Sequence, residues 1–132
     1  SKLEVDELVF STGGGGSNAA VALARQGLKT ALVARVRVDV GGKAIIEELH
    51  QEKSSAKFVQ QDQKIPTSYS FVMLSPGGER TILVYRGASK NIEPKEMDFD
   101  GLKQAKWYFF CGSFAGDFKL FKKVFILQRK II

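Results

Sequence analysis

This chain of 132 residues has a single cysteine, a single histidine and only three prolines. Cys111 on its own excludes an internal disulfide and fits a reducing compartment. With His50 as the lone imidazole there is no clustered His/Cys metal site. A Cys–His nucleophilic pair would need those two residues to meet, and His50 falls in a polar stretch that reads as an exposed helix. No apolar run approaches the roughly eighteen residues that span a membrane. The opening Ser1-Lys2-Leu3-Glu4-Val5-Asp6 is charged and has no apolar signal region. It does not open on methionine, which fits a processed, trimmed or excised piece. The net charge is +6, and much of the excess lies late, at Lys119, Lys122, Lys123, Arg129 and Lys130. Elsewhere basic residues alternate with acids, and no stripe of aromatic and basic residues offers a base-stacking platform. The charge therefore reads as a solvated face. Neither nucleic acid nor membrane is expected as a partner, and a cytoplasmic location is.

Glycine is what the chain has in abundance, and it is concentrated. Gly13-Gly14-Gly15-Gly16 leads into Ser17-Asn18-Ala19-Ala20-Val21-Ala22-Leu23-Ala24-Arg25-Gln26-Gly27. Four glycines in a row cannot be the middle of a helix or strand, because each loses more backbone freedom on ordering than any other residue. They permit positive φ and a close approach of bare backbone to a ligand. Ser17 and Asn18 are favoured N-cap residues, the alanines favour helix, and Gly27 stands where a glycine would end it. The stretch predicts a turn opening onto a short helix. Free N–H groups and the positive end of the helix dipole then face whatever fills the turn, which suits oxygen-rich or anionic groups.

Along the rest of the chain, residues 7–11 are β-favouring and residues 30–35 predict a buried strand. Asp39 is placed to cap a helix over 41–52, with Ala44, Ile45 and Leu49 on one face and Glu47, Glu48 and Gln51 on the other. Strand–helix alternation points to a parallel α/β layer. Phe58-Val59 is a short strand candidate. Residues 68–74 and 80–85 read as a hairpin joined by Ser75-Pro76-Gly77-Gly78-Glu79, its second strand apolar enough to be buried on both sides. A short helix is expected over 99–105 and a buried strand over 107–111, with Cys111 an inert buried thiol. The tail from Asp117 is helical by period, with Phe118, Phe121, Val124 and Phe125 on one side. It reads as a layer helix whose apolar side belongs on a sheet, and which self-associates if left uncovered.

Two sharp readings of the glycine turn follow. Gly14-Gly15-Gly16-Ser17-Asn18-Ala19 satisfies the G-x-G-x-x-A dinucleotide fingerprint, and Arg35 and Arg37 fall where a cation would select a 2′-phosphate. That reading gives an NADP-type oxidoreductase fragment. A phosphate-binding loop of the Walker type fits worse, since Ala44 follows Gly42-Lys43 where Ser or Thr should hold magnesium.

The second reading takes the pieces together: Gly13-Gly14-x-Gly16-x-Asn18-x-Ala20, Leu23-Ala24-Arg25-x-Gly27, Val36-x-x-Asp39-x-x-Gly42, Pro66-Thr67, Gly78-Glu79-Arg80-Thr81 and Arg86-Gly87-Ala88. In this order they resemble the N-terminal portion of the ribokinase-like (pfkB) carbohydrate kinase family. The resemblance implies an α/β fold, a ribokinase-like three-layer partial domain with a Rossmann-like parallel sheet and a small β lid. The single incomplete domain would span 1–132, with lid elements within 5–12 and 57–86. The implied activity is ATP-dependent phosphoryl transfer to a hydroxyl of a sugar or nucleoside. By position Gly13, Gly14 and Asn18 inherit the sugar contacts, with Gly16 in the same turn and Arg86 a weaker contributor. An amide offers donor and acceptor to adjacent hydroxyls, which suits that role. The chain departs from the family at Arg37, where glycine is usual, and at Val38, where a polar residue is. The family's Gly-x-Gly-Asp turn, whose Asp is the base, is absent, so no catalytic residue is assigned. ATP and Mg²⁺ are implied for the full-length enzyme, its nucleotide half is expected to follow residue 132, and no strong binding of either is expected here. A third reading is a non-catalytic module that binds sugar, or forms a homodimer through its lid strands.

Overall fold

A computed structural model describes residues 2–111 and 118–128. The chain enters without regular secondary structure, its Leu3, Leu8 and Phe10 exposed. The strand expected at 7–11 does not form, and Leu8, Val9 and Phe10 are exposed there. The glycine run then opens helix α1, Gly15–Arg25. Its N-cap is Gly14, with no side-chain cap, so neither Ser17 nor Asn18 caps it. Both lie inside the first turn, Ser17 buried and Asn18 exposed. The other end forms as its residues dictate. Gly27 adopts φ +86, its N–H donates to the Ala24 carbonyl, and the Leu28 N–H donates to that of Leu23, the paired bonds of a glycine-terminated helix.

The centre of the fold is a β–α–β unit. Strand β1 is Ala34–Arg37, helix α2 is Val40–Gln51 and strand β2 is Val59–Asp62. The two strands pair in parallel, Ala34 opposite Val59 and Arg37 opposite Asp62. The strand expected at 30–35 is thus displaced toward the C-terminus, and only an isolated bridge from Ala31 to Ser55 precedes it. The early part is instead tied by side chains: the Thr30 hydroxyl bonds the Ala20 carbonyl and the Ser54 hydroxyl. Ala20, Leu32 and Leu49 form the core where α1, the β1 approach and α2 converge, with Ile45 and Val59 packed around them. Leu49 lies on the apolar face expected of α2 and is wholly buried.

The polar part of the interior is as specific as the apolar part. Asp39 caps α2 through the Gly42 N–H at 2.9 Å. A Cβ on Gly42 would stand 1.9 Å from the Arg37 carbonyl oxygen, so the tight passage from β1 into α2 requires glycine there. Arg35, in β1, is buried and bonds Asp62 at 2.8 Å, Glu96 at 2.9 Å and the Gln60 amide oxygen at 3.1 Å. The Arg35 hydrogen bond, reinforced by the N–H groups of Ile65 and Lys64, holds the Asp62 carboxyl down at about 2, from an ordinary 3.8.

Strands β3, Tyr69–Leu74, and β4, Arg80–Tyr85, form a separate antiparallel hairpin, closed by the loop with Gly78 at φ +83. Here the pattern misleads: β4, continuous and apolar, was expected to be buried on both sides, yet every residue of it is exposed. The hairpin packs against itself, and no other described element covers either face broadly. Short 3₁₀ turns at Gly87–Lys90 and Pro94–Glu96 lead to α3, Phe99–Leu102. Residues 107–111 form no strand, and Trp107 and Phe109 are exposed, at 85% and 72%, so the buried strand expected there is not formed. Helix α4, Phe118–Gln128, has the expected helical character. Among its described side chains Leu120 and Val124 are buried and Phe125 is exposed, so Val124 lies on the buried side as expected and Phe125 does not. No described helix is long and apolar enough to cross a membrane.

Two predictions follow from this packing. Gly42→Ala should lower unfolding stability by about 1–3 kcal/mol, the usual range for overpacking, read as a drop in urea midpoint; an unchanged midpoint would contradict the close contact. Because the folded pKa of Asp62 lies below its unfolded value, its stabilisation is complete above about pH 4 and is lost as pH falls through about 2. Asp62→Asn should be less stable than the parent at neutral pH, with the gap closing between those values. A gap that stays constant down to pH 2 would remove Asp62 from the acid transition.

Candidate functional site

The glycine turn divides into two pairs with opposite surroundings. A Cβ on Gly15 would lie 3.2 Å from the Cys111 Cβ, and one on Gly16 would lie 3.1 Å from Leu32 Cδ1. Gly16 lets the first turn of α1 settle onto Leu32 of the core, and Gly15 lets it lie against Cys111. Gly16, expected among the binding residues, has its bare face turned to Leu32, so the absence of its side chain serves packing. Gly13 and Gly14 face the other way. Nothing lies within 4 Å of a Cβ built on Gly14, whose φ of +94 suits glycine. At Gly13 the nearest atom is the Asn18 amide oxygen, 4.0 Å away.

Asn18 is therefore an exposed carboxamide beside bare, open main chain, one helical turn beyond the N-cap. Its backbone N–H closes the first turn onto the Gly14 carbonyl at 2.9 Å, so its side chain is not needed to hold the helix. The turn is tethered from outside: the Thr12 hydroxyl donates to the Glu48 carboxylate on α2. Sequence reasoning missed Thr12, and the only cue was a hydroxyl directly before the glycines. Arg25 bonds Glu52 in bidentate fashion, at 2.8 and 2.5 Å, joining the far ends of the same two helices. Each partner draws the other toward its charged form, so the Arg25 pKa rises and that of Glu52 falls, the hydrogen bond being the main cause.

Other sequence candidates fall elsewhere. Arg86 is at the end of β4, exposed, and its carbonyl accepts from the Ser89 hydroxyl at 2.6 Å. Arg35 is buried between Asp62 and Glu96, which removes it as a cation for a 2′-phosphate. Arg37 is exposed and reaches the Lys64 carbonyl. Cys111 is half-buried against Gly15, and His50 is exposed on α2. Among the described residues no three His, Cys, Asp or Glu side chains cluster to hold a metal ion. Two concavities lie away from the turn, one of about 120 Å³ near Val33, Phe58, Met97 and Leu102, the other of about 270 Å³ between β1 and α2 at Val36, Lys43, Ile46 and His50.

Residues 1–125 match the pfkB family carbohydrate kinase profile. The chain belongs to the pfkB carbohydrate kinase family. Among its relatives, fructokinase-2 of Solanum lycopersicum is 30% identical over 108 residues, covering 80% of this chain and 33% of that one. The ribokinase of Staphylococcus aureus is 27% identical over 96 residues, covering 72% and 32%. An uncharacterized sugar kinase from Pyrococcus horikoshii superposes with a TM-score of 0.75 at 29% identity, over 90% of this chain and 39% of its own, and has also been solved in complex with ATP. A fructokinase from Xylella fastidiosa, at 20% identity, shares the fold with a TM-score of 0.79. The pfkB chain thus spans about a third of the length of the curated relatives it matches. Its architecture, a parallel α/β unit carrying a small antiparallel sheet, is ribokinase-like.

Proposed function

We propose that this chain is the acceptor-binding part of a sugar kinase that transfers the γ-phosphoryl group of ATP to a substrate hydroxyl. The observation that carries the reading is the open side of the turn: Gly13 and Gly14 present main chain with no side chain against it, and the Asn18 amide borders it. A polyol needs close backbone approach and neighbouring donors and acceptors, and this surface supplies both. The names of the relatives, fructokinase and ribokinase, favour a ketohexose or a pentose over a nucleoside.

In this reading the β3–β4 hairpin is the lid over the sugar, with Arg86 at its base a secondary contact. Its apolar residues, Phe71, Val72, Ile82 and Leu83 among them, are exposed and would be covered by a second copy, giving a homodimer through the lid strands. A reducing, cytoplasmic setting suits the lone thiol. Phosphoryl transfer depends on positioning and charge stabilisation. These residues contain no Gly-x-Gly-Asp turn to supply base and anion hole. ATP and Mg²⁺ then belong to the rest of the enzyme, and the 132 residues alone hold the acceptor without turning it over.

Calorimetry of the purified chain with fructose, ribose and adenosine, with and without ATP, tests this. Saturable binding of one sugar, lost in Asn18→Ala while the circular dichroism spectrum is kept, is the expected result. Steady ATP-dependent phosphorylation by the chain would overturn the division of labour. Binding of a nicotinamide dinucleotide, with no sugar response, would overturn the acceptor assignment itself.

A further inference from the structure

Main chain left bare at Gly13 and Gly14 has to be held in shape by something other than itself. Glycine has more backbone freedom to lose on ordering than any other residue, and a surface binds more tightly when that freedom is gone before the ligand arrives. On the helix side the turn is fixed. The Gly14 carbonyl accepts from the Asn18 N–H at 2.9 Å, and Gly15 and Gly16 lie against Cys111 and Leu32. On the other side little holds it. Among the described residues, 2–13 make one hydrogen bond to the rest of the chain, from the Thr12 hydroxyl to the Glu48 carboxylate.

Glu48 is a firm point to hold by. It is half-buried on α2, next to the wholly buried Leu49, in a helix whose start is capped by Asp39. A side chain carried by a packed helix is placed more precisely than one carried by a loop. Glu52, one turn further on, bonds Arg25 at the far end of α1. That pair is exposed to solvent and contributes little. The Thr12–Glu48 contact is partly buried and reaches across 36 residues of sequence.

We propose, resting on the acceptor reading of this turn, that Glu48 is a positioning residue for it: acting through Thr12, Glu48 holds the Gly13–Gly14 main chain in its open shape. Thr12 immediately precedes Gly13. Releasing it frees the peptide units that enter the turn and leaves α1 seated on Leu32. Neither side chain has to touch the sugar for this to weaken binding.

Thr12→Val keeps the shape of the side chain and removes the donor, and Glu48→Ala removes the acceptor. Thr12→Ser keeps a hydroxyl, and Glu48→Gln keeps an amide oxygen that accepts. Nitrogen-15 relaxation of the 132-residue chain without sugar reads the order of the turn, and calorimetry with fructose and ribose reads its affinity. The Gly13 and Gly14 amides are expected near the rigid order parameter of about 0.85 in the parent, falling below about 0.6 in Thr12→Val and Glu48→Ala. The amides of 18–24 stay as they were. Sugar affinity falls about ten-fold in each variant, and the double variant is no weaker than either single one, as residues acting through one bond require. The two conservative variants recover both order and affinity. Order parameters that do not fall overturn the proposal, and so does a double variant whose loss is the sum of the two. A parent chain that takes up neither sugar overturns the acceptor reading instead, while the order parameters still decide whether Glu48 sets the turn.

Discussion

How near α1 can lie to the core governs what the glycine turn is able to do. Cys111 approaches Gly15 and Leu32 approaches Gly16 so closely that a Cβ on either glycine would meet its neighbour at 3.2 and 3.1 Å. The helix start is thereby seated inward, which leaves Gly13, Gly14 and Asn18 on the outer side. Two glycines serve packing and two leave main chain bare. A run that looks uniform in sequence is divided in space, and the open half exists because the packed half is held.

The remaining architecture is fixed by charged groups that have been drawn inward and satisfied. Asp39 gathers the end of β1, the start of α2 and the base of the hairpin. Arg35 gathers β1, β2 and the Pro94–Glu96 turn through Asp62, Gln60 and Glu96. Buried ion pairs add little net stability relative to well-packed apolar groups, but breaking one leaves an uncompensated charge. Such groups therefore specify which segments meet more than they hold the fold together. Among the described residues no buried side-chain nitrogen or oxygen lacks a partner, as this requires.

Much of this was legible in the residues, and the failures share a cause. Asp39 as a cap, Gly27 as a helix stop and the Gly78 hairpin are local devices, set by neighbours within a few positions, and each formed as read. The helix face of Leu49 and Ile45 was legible from its period. Burial of β4 and of Trp107 and Phe109 was not, because an apolar run shows that a surface can be covered without showing what covers it. Ser17 and Asn18 both have the propensity of a cap, but Gly14 takes that place with no side-chain bond, the helix having started at Gly15, ahead of both. Arg35 has the sequence position of a ligand-binding cation, but its partner Asp62 stands 27 residues away in sequence, beyond the reach of local pattern. The family resemblance was legible as an ordered set of short motifs, and the match over residues 1–125 agrees with it.

Whether a sugar meets the open half of the turn decides the acceptor role of this chain. A nitrogen-15 correlation NMR titration of the chain with fructose and with ribose asks this directly. Saturable shifts are expected at the Gly13 and Gly14 amides and the Asn18 side-chain NH₂, with Gly16 and the β2 amides little changed. Saturable shifts confined to other surfaces, or none at any sugar concentration, would contradict it.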